Sequence, residues 1–278
     1  MPYVAFDSHS RHSTINSLQP SSRFQYINME IWKNEQREFT IDGKTISKRQ
    51  LRPTELDYPP ERLRYPVERI KNEHAALTYL AANTTIPLAK ILNFTDDGGG
   101  SFTLVTEFVE GVLMEDLDQD KLEAAIEAVE KQIEQDIIPE LHKLRRSRIG
   151  CVDESLPVIA PPVYMLDEML DAWPRITSDK DDFVFCHIDF SRHNFLIDPE
   201  TFKINAVIDW EYAGFFPAWF ERPLWRENWW ERSVAEEEAY KARVNEFFGI
   251  STERAEPSPP LWAWVADWFK RVAWALPS

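Results

Sequence analysis

Phe185-Cys186-His187-Ile188-Asp189-Phe190-Ser191-Arg192-His193-Asn194, followed by Val207-Ile208-Asp209-Trp210-Glu211, is the stretch whose reading decides the fold. It sets a His-x-Asp-x-x-x-x-Asn loop one short hairpin ahead of a second aspartate that ends an apolar strand. Phe183 to Asp209 reads as strand, loop, hairpin and strand, with Asp198-Pro199-Glu200-Thr201 as the turn. In an extended run, Phe185, His187 and Asp189 point the same way. Asn194 shares their loop, and Asp209 ends Ala206-Val207-Ile208, which puts its carboxylate beside that loop.

Upstream, the pattern is that of a small sheet with one helix. Residues 1–36 are rich in Ser, Arg and Asn and read as an arm, with a short helix expected near Ile31. Phe39-Thr40-Ile41 and Thr45-Ile46-Ser47-Lys48-Arg49 flank Asp42-Gly43-Lys44, a hairpin with a tight turn. Arg52-Pro53 to Pro59-Pro60 is a loop, since paired prolines exclude helix. Val67 to Ala82 is helical, with Val67, Ile70, Leu77 and Leu80 on one face. Glu73 lies inside that stripe, and a carboxylate on a buried face needs a cation or strong donors. Ile91-Leu92-Asn93-Phe94 and Ser101-Phe102-Thr103-Leu104-Val105 are strands around Asp97-Gly98-Gly99-Gly100. That cluster reads as a hairpin turn, because no helix follows it as a phosphate cradle requires.

Glu110-Gly111 marks a change of character, and the chain beyond is mostly helical. Lys121 to Arg146 carries Leu122, Ile126, Val129, Ile133, Ile137, Leu141 and Leu144 on one side, with Pro139 placed to kink or split it. Pro157 to Pro162 reads as a linker and Val163 to Trp173 as a helix. A last helix presents Leu261, Val265, Trp268 and Val272. The division expected is an arm (1–36), a smaller β-rich region with one helix (37–110) and a larger, mostly helical region (111–278), an α+β architecture.

Composition narrows the function classes. The 278 residues are 44% hydrophobic, enough for a substantial core. Asp and Glu number 47 against 31 Lys and Arg, a formal charge of −16, which repels nucleic acid and anionic membranes. Such a surface suits a cationic small molecule, although acidity also serves solubility alone. No apolar run is long enough to span a bilayer, and the first residues do not read as a secretory signal. Two cysteines, Cys151 and Cys186, do not make a disulfide framework, so a reducing, cytoplasmic setting is expected.

The chemistry these residues suit is phosphoryl transfer. Its transition state is loose and rich in charge, so catalysis is mostly positioning and electrostatics. One acceptor must hold the attacking hydroxyl, and Asp189 is the natural choice. Magnesium needs hard oxygen ligands, which the Asn194 amide and the Asp209 carboxylate supply. Taken singly, Asp189 could cap a turn, Asn194 form a loop and Asp209 cap a helix. Their joint spacing between apolar strands makes that coincidence improbable. His187 is expected to brace the loop, Arg192 and His193 to lie on a solvated face, and Cys186 to be core. Trp225, Trp229 and Trp230, near Glu227 and Glu231, read as packing before an aromatic cage for a quaternary ammonium ligand.

Residues 185–214 resemble the aminoglycoside phosphotransferase and choline kinase-like group, relatives of the protein kinases. His187-Ile188-Asp189 with Asn194, and Ile208-Asp209-Trp210-Glu211-Tyr212-Ala213-Gly214, carry the resemblance. Arg69 to Leu77, Thr85-Ile86-Pro87-Leu88 and Leu104 to Gly111 extend it, so that it runs from about Phe39 to Glu231 and looks closest to the fungal phosphotransferase-like branch. The resemblance implies a protein kinase-like two-lobe fold, with a small β-rich N-terminal nucleotide-binding lobe (37–110) bearing one key helix and a larger, mainly helical C-terminal catalytic and substrate lobe (111–278). It also implies an ATP- and Mg²⁺-dependent transfer to the hydroxyl of a small molecule. Asp189 would be the base, Asn194 and Asp209 the metal ligands, and Glu73 the partner of the phosphate-gripping cation. Residues Glu107 to Val109 would be the hinge that meets the adenine edge. That cation is Lys48 or Arg49, which point to opposite faces of one strand, with Lys48 preferred.

The sequence departs from the kinase pattern in three places. No glycine-rich loop precedes Lys48, so either the Asp42-Gly43-Lys44 turn covers the phosphates or the cover is absent. Trp210 and Glu211 replace the phenylalanine and glycine that follow the metal-binding aspartate in protein kinases, and Ser191 stands where they keep a lysine. The last two features argue against protein substrates. The first leaves a second reading, a binding protein of the same fold that has lost turnover. A hydrolase is disfavoured by the lack of a Gly-x-Ser-x-Gly elbow or a His-Glu-x-x-His motif.

Overall fold

The helix expected near Ile31 is a strand, β1 (Glu30–Lys33), paired antiparallel with β2 (Arg37–Asp42). Trp32 lies opposite Phe39, and their rings stack with centroids 5.1 Å apart. A cross-strand aromatic pair of this kind outweighs the weak local pattern. The computed structural model describes residues 29–57, 64–164, 173–227 and 232–250. The expected helix over Leu261 to Val272 falls outside them, as do Trp229, Trp230 and Glu231.

β2 runs into β3 (Thr45–Gln50) through the anticipated turn, with Asp42 opposite Thr45 and Gly43 at φ +59°, a conformation glycine adopts without penalty. Helix α1 (Pro66–Asn83) starts on a proline and buries Ile70, Ala76, Leu77 and Leu80 together with the polar Arg69, Asn72 and Glu73. Thr84 ends it by donating both its N–H and its hydroxyl to the Leu80 carbonyl. β4 (Ile91–Gly98) and β5 (Ser101–Glu107) complete a five-stranded sheet in the order β1-β2-β3-β5-β4, against which α1 packs. The glycine cluster is the hairpin turn between β4 and β5.

The change of character at Glu110-Gly111 has a steric cause. Gly111 has φ +146°, and a Cβ there would meet the Ile197 carbonyl at 2.9 Å. β6 (Val112–Leu113) follows, then α2 (Gln119–Gln132), a single π turn (Ile133–Ile137) and α3 (Ile138–Lys143). Pro139 therefore splits the periodic helix. The π turn widens the backbone where the proline ring would clash with the preceding turn. The helix also ends earlier than Arg146, because Arg145–Arg146 pair with the next sheet as β7.

Pro157 to Pro162 is not a solvated linker: Val158, Ile159 and Ala160 are buried. Of the helix expected from Val163, the described part is one short turn, Pro162–Tyr164. The rest of this body is two three-stranded sheets. β8 (Phe183–Cys186) lies between β7 and β11 (Gly214–Phe216), while β9 (Phe195–Ile197) lies between β6 and β10 (Ile204–Val207). Phe185, Phe190, Phe195, Trp210, Phe215 and Phe220 are fully buried around them. A separate unit begins at Ala235, and its described part is a helix, α4 (Val234–Phe248). No described helix is long and apolar enough to cross a membrane.

Candidate active site

Two chain crossings between the same pair of sheets build the site. The first leaves β8 and enters β9 through residues 187–194, which carry Asp189 and Asn194. The second leaves β10 and returns to β11 through residues 208–213, which carry Asp209 and Glu211. They are laced together at Ile208, whose N–H donates to the Asn194 carbonyl and whose carbonyl accepts from His187 Nε2, both at 3.0 Å. His187 Nδ1 accepts the Asp189 N–H at 3.2 Å, so the ring is neutral and bridges the two crossings. Burial holds its pKa down, consistent with that form. His187 thus has the bracing geometry the sequence suggests.

The first crossing is not an extended run. Ile188 has φ +73°, a left-handed conformation that costs a β-branched residue roughly 1–2 kcal/mol. Asp209 is also left-handed, at φ +62°. Both outliers fall in the site, where backbone strain tends to be tolerated. The strained loop presents Asp189 with Ser191, whose hydroxyl donates to Oδ1, and with His193, whose Nε2 lies 3.7 Å from Oδ2. Burial would raise the Asp189 pKa, but His193 and Ser191 outweigh it and hold the carboxyl low. Asn194 donates from Nδ2 to the Asp189 carbonyl at 2.8 Å, and its amide oxygen accepts no hydrogen bond among the described residues. Arg192 departs from expectation. It is 5% exposed and donates to the Trp225 and Arg226 carbonyls, so it is structural.

Lys48 and Arg49 separate cleanly. Lys48 Nζ sits 2.7 Å from Glu73 Oε2 and 2.6 Å from Asp209 Oδ1, with Glu211 Oε2 at 3.7 Å. Arg49 lies on the opposite face, held by Glu38 and by Glu55 through both terminal nitrogens. The structure brings Lys48, Glu73 and Asp209 together and does not bring Arg49 to them. Of the residues the resemblance assigns to a hinge, Glu107 is the last of β5 and Val109 lies two residues beyond it; the Glu107 N–H meets the Lys90 carbonyl and the Phe108 N–H meets the Lys44 carbonyl.

Behind this group lies a set of buried charges that the sequence reading left without a role. Glu211 accepts from Arg69 Nη1 at 2.6 Å and Arg37 Nη2 at 3.2 Å, and Arg69 also meets the Tyr212 hydroxyl at 2.8 Å. Three cations therefore face three carboxylates, and Glu73, Asp209 and Glu211 lie within 4.8 Å of one another. Burial and the neighbouring carboxylates push Glu73 up to about 7 against the pull of Lys48. Glu211 is buried too, yet Arg69, Lys48 and Arg37 hold it at about 2. Arg69 was within reach of sequence reasoning, since it lies one turn before Glu73 on the same helix face. Arg37 and Glu221, whose carboxylate accepts the N–H groups of His187 and Ile188, leave no comparable signal.

The two cysteines behave as core. Both are free and buried, and burial raises both thiols, Cys151 to about 12. Trp225, 3% exposed, packs with Phe190 at 6.2 Å and is core as expected.

A kinase-like α+β fold with a lysine–glutamate pair beside an aspartate–asparagine loop defines a phosphotransferase. The model of the phosphotransferase enzyme family matches residues 35–222, well over half the chain, and the chain belongs to that family. It is an enzyme of the small-molecule kinase class. Solved structures with a similar fold include aminoglycoside phosphotransferase APH(3'')-Id from Streptomyces rimosus, 16% identical, with 82% of this chain and 88% of that chain covered and a TM-score of 0.47. A thermostable mutant of aminoglycoside phosphotransferase APH(4)-Ia, in a ternary complex with AMP-PNP and hygromycin B, is 15% identical over 79% of this chain and 78% of its own, at a TM-score of 0.44. The GDP complex of aminoglycoside 2'-phosphotransferase-IIIa is 11% identical over 80% and 82%, at 0.43. No curated protein matches significantly.

Proposed function

We propose that this chain transfers the terminal phosphoryl group of ATP to a hydroxyl of a small, hydroxyl-bearing and cationic molecule. The observation that carries the reading is the lacing of Asp189 and Asn194 to Asp209 at Ile208, with Lys48 on the Asp209 carboxylate at 2.6 Å. Asp189, held ionised, accepts the proton of the attacking hydroxyl. The new bond joins that oxygen to the phosphorus, and the bond to the departing ADP oxygen breaks. Lys48, steadied by Glu73, meets the nucleotide phosphates. The backbone of Glu107 and Val109 meets the adenine edge, and the Val109 N–H has no protein partner among the described residues. Arg49 has no part in this assignment.

The donors fit magnesium. Asp209 offers a carboxylate with a side chain 36% exposed, and Asn194 offers an amide oxygen while its nitrogen is engaged elsewhere. Both are hard oxygen ligands of the kind Mg²⁺ takes alongside water and phosphate. When bound, the ion would neutralise charge developing on the transferred group. A formal charge of −16 supports a cationic acceptor and a protein that keeps away from nucleic acid and anionic membranes. Two free thiols support a cytoplasmic setting.

The test is ATP consumption with Mg²⁺ across a broad panel of hydroxyl compounds, amino sugars and amino alcohols included. Turnover that vanishes in Asp189→Ala and Asp209→Ala is expected. Purified protein that neither binds ATP–Mg²⁺ nor turns it over with any acceptor overturns the reading. ATP binding without turnover would point to the binding protein of the same fold.

A further inference from the structure

The backbone of the first crossing places Asp189, but the rotation of its carboxylate is set by what its two oxygens meet. Oδ1 receives the Ser191 hydroxyl at 2.5 Å, the length of a charge-assisted hydrogen bond. Oδ2 has His193 Nε2 at 3.7 Å, too long for a hydrogen bond. Ser191 is 3% exposed, so its hydroxyl takes its partners from the protein. The second of them comes from far along the chain: Arg232 Nη2 donates to Ser191 Oγ at 3.1 Å, across 41 residues. The stretch ahead of Arg232 is tied to the same loop, because Arg192 donates to the Trp225 and Arg226 carbonyls. Trp225 is in turn buried against Phe190.

Elementary bonding rules fix the direction of this relay. A serine hydroxyl has one proton to give and lone pairs to accept with, a guanidinium only donates, and a carboxylate only accepts. With Arg232 on a lone pair of Ser191, the hydroxyl proton is directed to Asp189 Oδ1. Oδ1 is thereby occupied, and Oδ2 is left for an incoming hydroxyl. Without the guanidinium, the hydroxyl would be free to turn about its C–O bond, and Oδ1 would lose a held donor.

We propose that Arg232 is a positioning residue of the transfer reaction, acting through Ser191 to lock the Asp189 carboxylate with Oδ1 held and Oδ2 open to the acceptor hydroxyl. The proposal rests on the reading of Asp189 as the base. In the transfer step Oδ2 takes the hydroxyl proton as that oxygen bonds to phosphorus and ADP departs, while Ser191 and Arg232 keep their own protons. A catalytic group misplaced by about 1 Å can cost about 100-fold in rate. A residue that acts through another in this way shows in kcat and not in the affinity for nucleotide.

The experiment uses the full chain with ATP and Mg²⁺ as the probe, and reads phosphate passed to water as well as to the hydroxyl compounds of the panel. Wild type, Arg232→Ala, Ser191→Ala, the double variant and Asp189→Ala are compared, with melting temperature measured beside kinetics. R232A and S191A are each expected to lower kcat by about 10- to 100-fold. The KM for ATP should stay within about threefold. The double variant should be no slower than S191A alone, the non-additivity of two residues that act through one contact. Free guanidinium ion at non-denaturing concentration should restore turnover to R232A and not to the double variant, a rescue that a merely structural arginine would not give. Should R232A fail to fold, Arg232→Gln, which keeps part of the stem, enters the same cycle. Full kcat in R232A, or a loss that persists undiminished in the S191A background, overturns the relay while D189A stays inactive. A D189A that retains turnover, or a wild type that passes phosphate to neither water nor any hydroxyl of the panel, overturns the reading of Asp189 on which the relay stands.

Discussion

The cluster around Lys48 and the loop around Asp189 solve the same problem in different ways. At Lys48 the reacting geometry is set by side chains: Glu73, Asp209 and Glu211 surround one ammonium, and Arg37 and Arg69 balance Glu211 from behind. At Asp189 it is set by backbone: a left-handed Ile188, two N–H groups on Glu221, and an imidazole wedged between crossings. A site held by charge balance is exposed to any change of charge. A site held by backbone tolerates changes around it as long as its anchor points survive.

The largest effect separating the two regions is expected at Asp189, the proposed base. Asp189→Ala should lower turnover by about 10²–10⁴-fold. ATP affinity should stay within about threefold, since the group acts in the transition state. Titration calorimetry beside steady-state kinetics checks this, and a parallel loss of binding would show that the loop also shapes the nucleotide site. Next comes the cation. Lys48→Met is expected to cost about 10²–10³ in kcat/KM, as loss of a preorganised electrostatic contact does. Unchanged kinetics would move the phosphate contact away from β3.

Glu211 is the purest test of charge balance. Glu211→Gln leaves Arg37 and Arg69 buried without their carboxylate, and unfolding by urea should report a loss of about 3 kcal/mol. The pH dependence follows in sign. Glu211 is depressed to about 2, so its contribution is present above the ordinary 4.5 and lost as pH falls toward 2. E211Q should lack that acid-side decline, and a retained one would assign it to another carboxylate. The smallest effect is expected on the outer face. Arg49→Ala breaks partly exposed pairs with Glu38 and Glu55, and should change stability by less than about 1 kcal/mol and leave kcat/KM as it is.

What could be read from the chain follows the same division. Asp189, Asn194 and Asp209 stood out because their spacing is local and bracketed by apolar strands. Glu73 stood out because a charge broke a helical stripe, and the structure supplies the cation that such a position demands, Lys48. The Asp42-Gly43 turn was legible for the same local reason. Glu221, Arg37 and Ile188 were not. A carboxylate that caps two amides more than thirty residues away carries no periodicity, and Arg37 meets Glu211 across a separation of 174 residues. The left-handed turn at Ile188 contradicts the residue's own preference, so only tertiary constraint produces it. The strand at Ile31 is not legible locally because the stacking of its neighbour Trp32 on Phe39 of β2 comes from the pairing of the two strands.

The turn before β2 has a consequence for the buried charges. The Gly43-Lys44 turn is tied to the segment just after β5, its Lys44 carbonyl receiving the Phe108 N–H at 2.8 Å. The turn anchored to the buried charges is Asn34-Glu35-Gln36, which has no glycine. Asn34 Oδ1 receives the N–H groups of Gln36 and Arg37 at 3.0 and 2.7 Å, and the Gln36 side chain receives Arg69. Its conformational freedom, worth roughly 1–2 kcal/mol per residue, is already surrendered in the free protein. Arg37 thus reaches Glu211 from a turn that is itself pinned, and Arg69 reaches it while holding the same turn at Gln36, so a change at Asn34 would be felt at the buried charges.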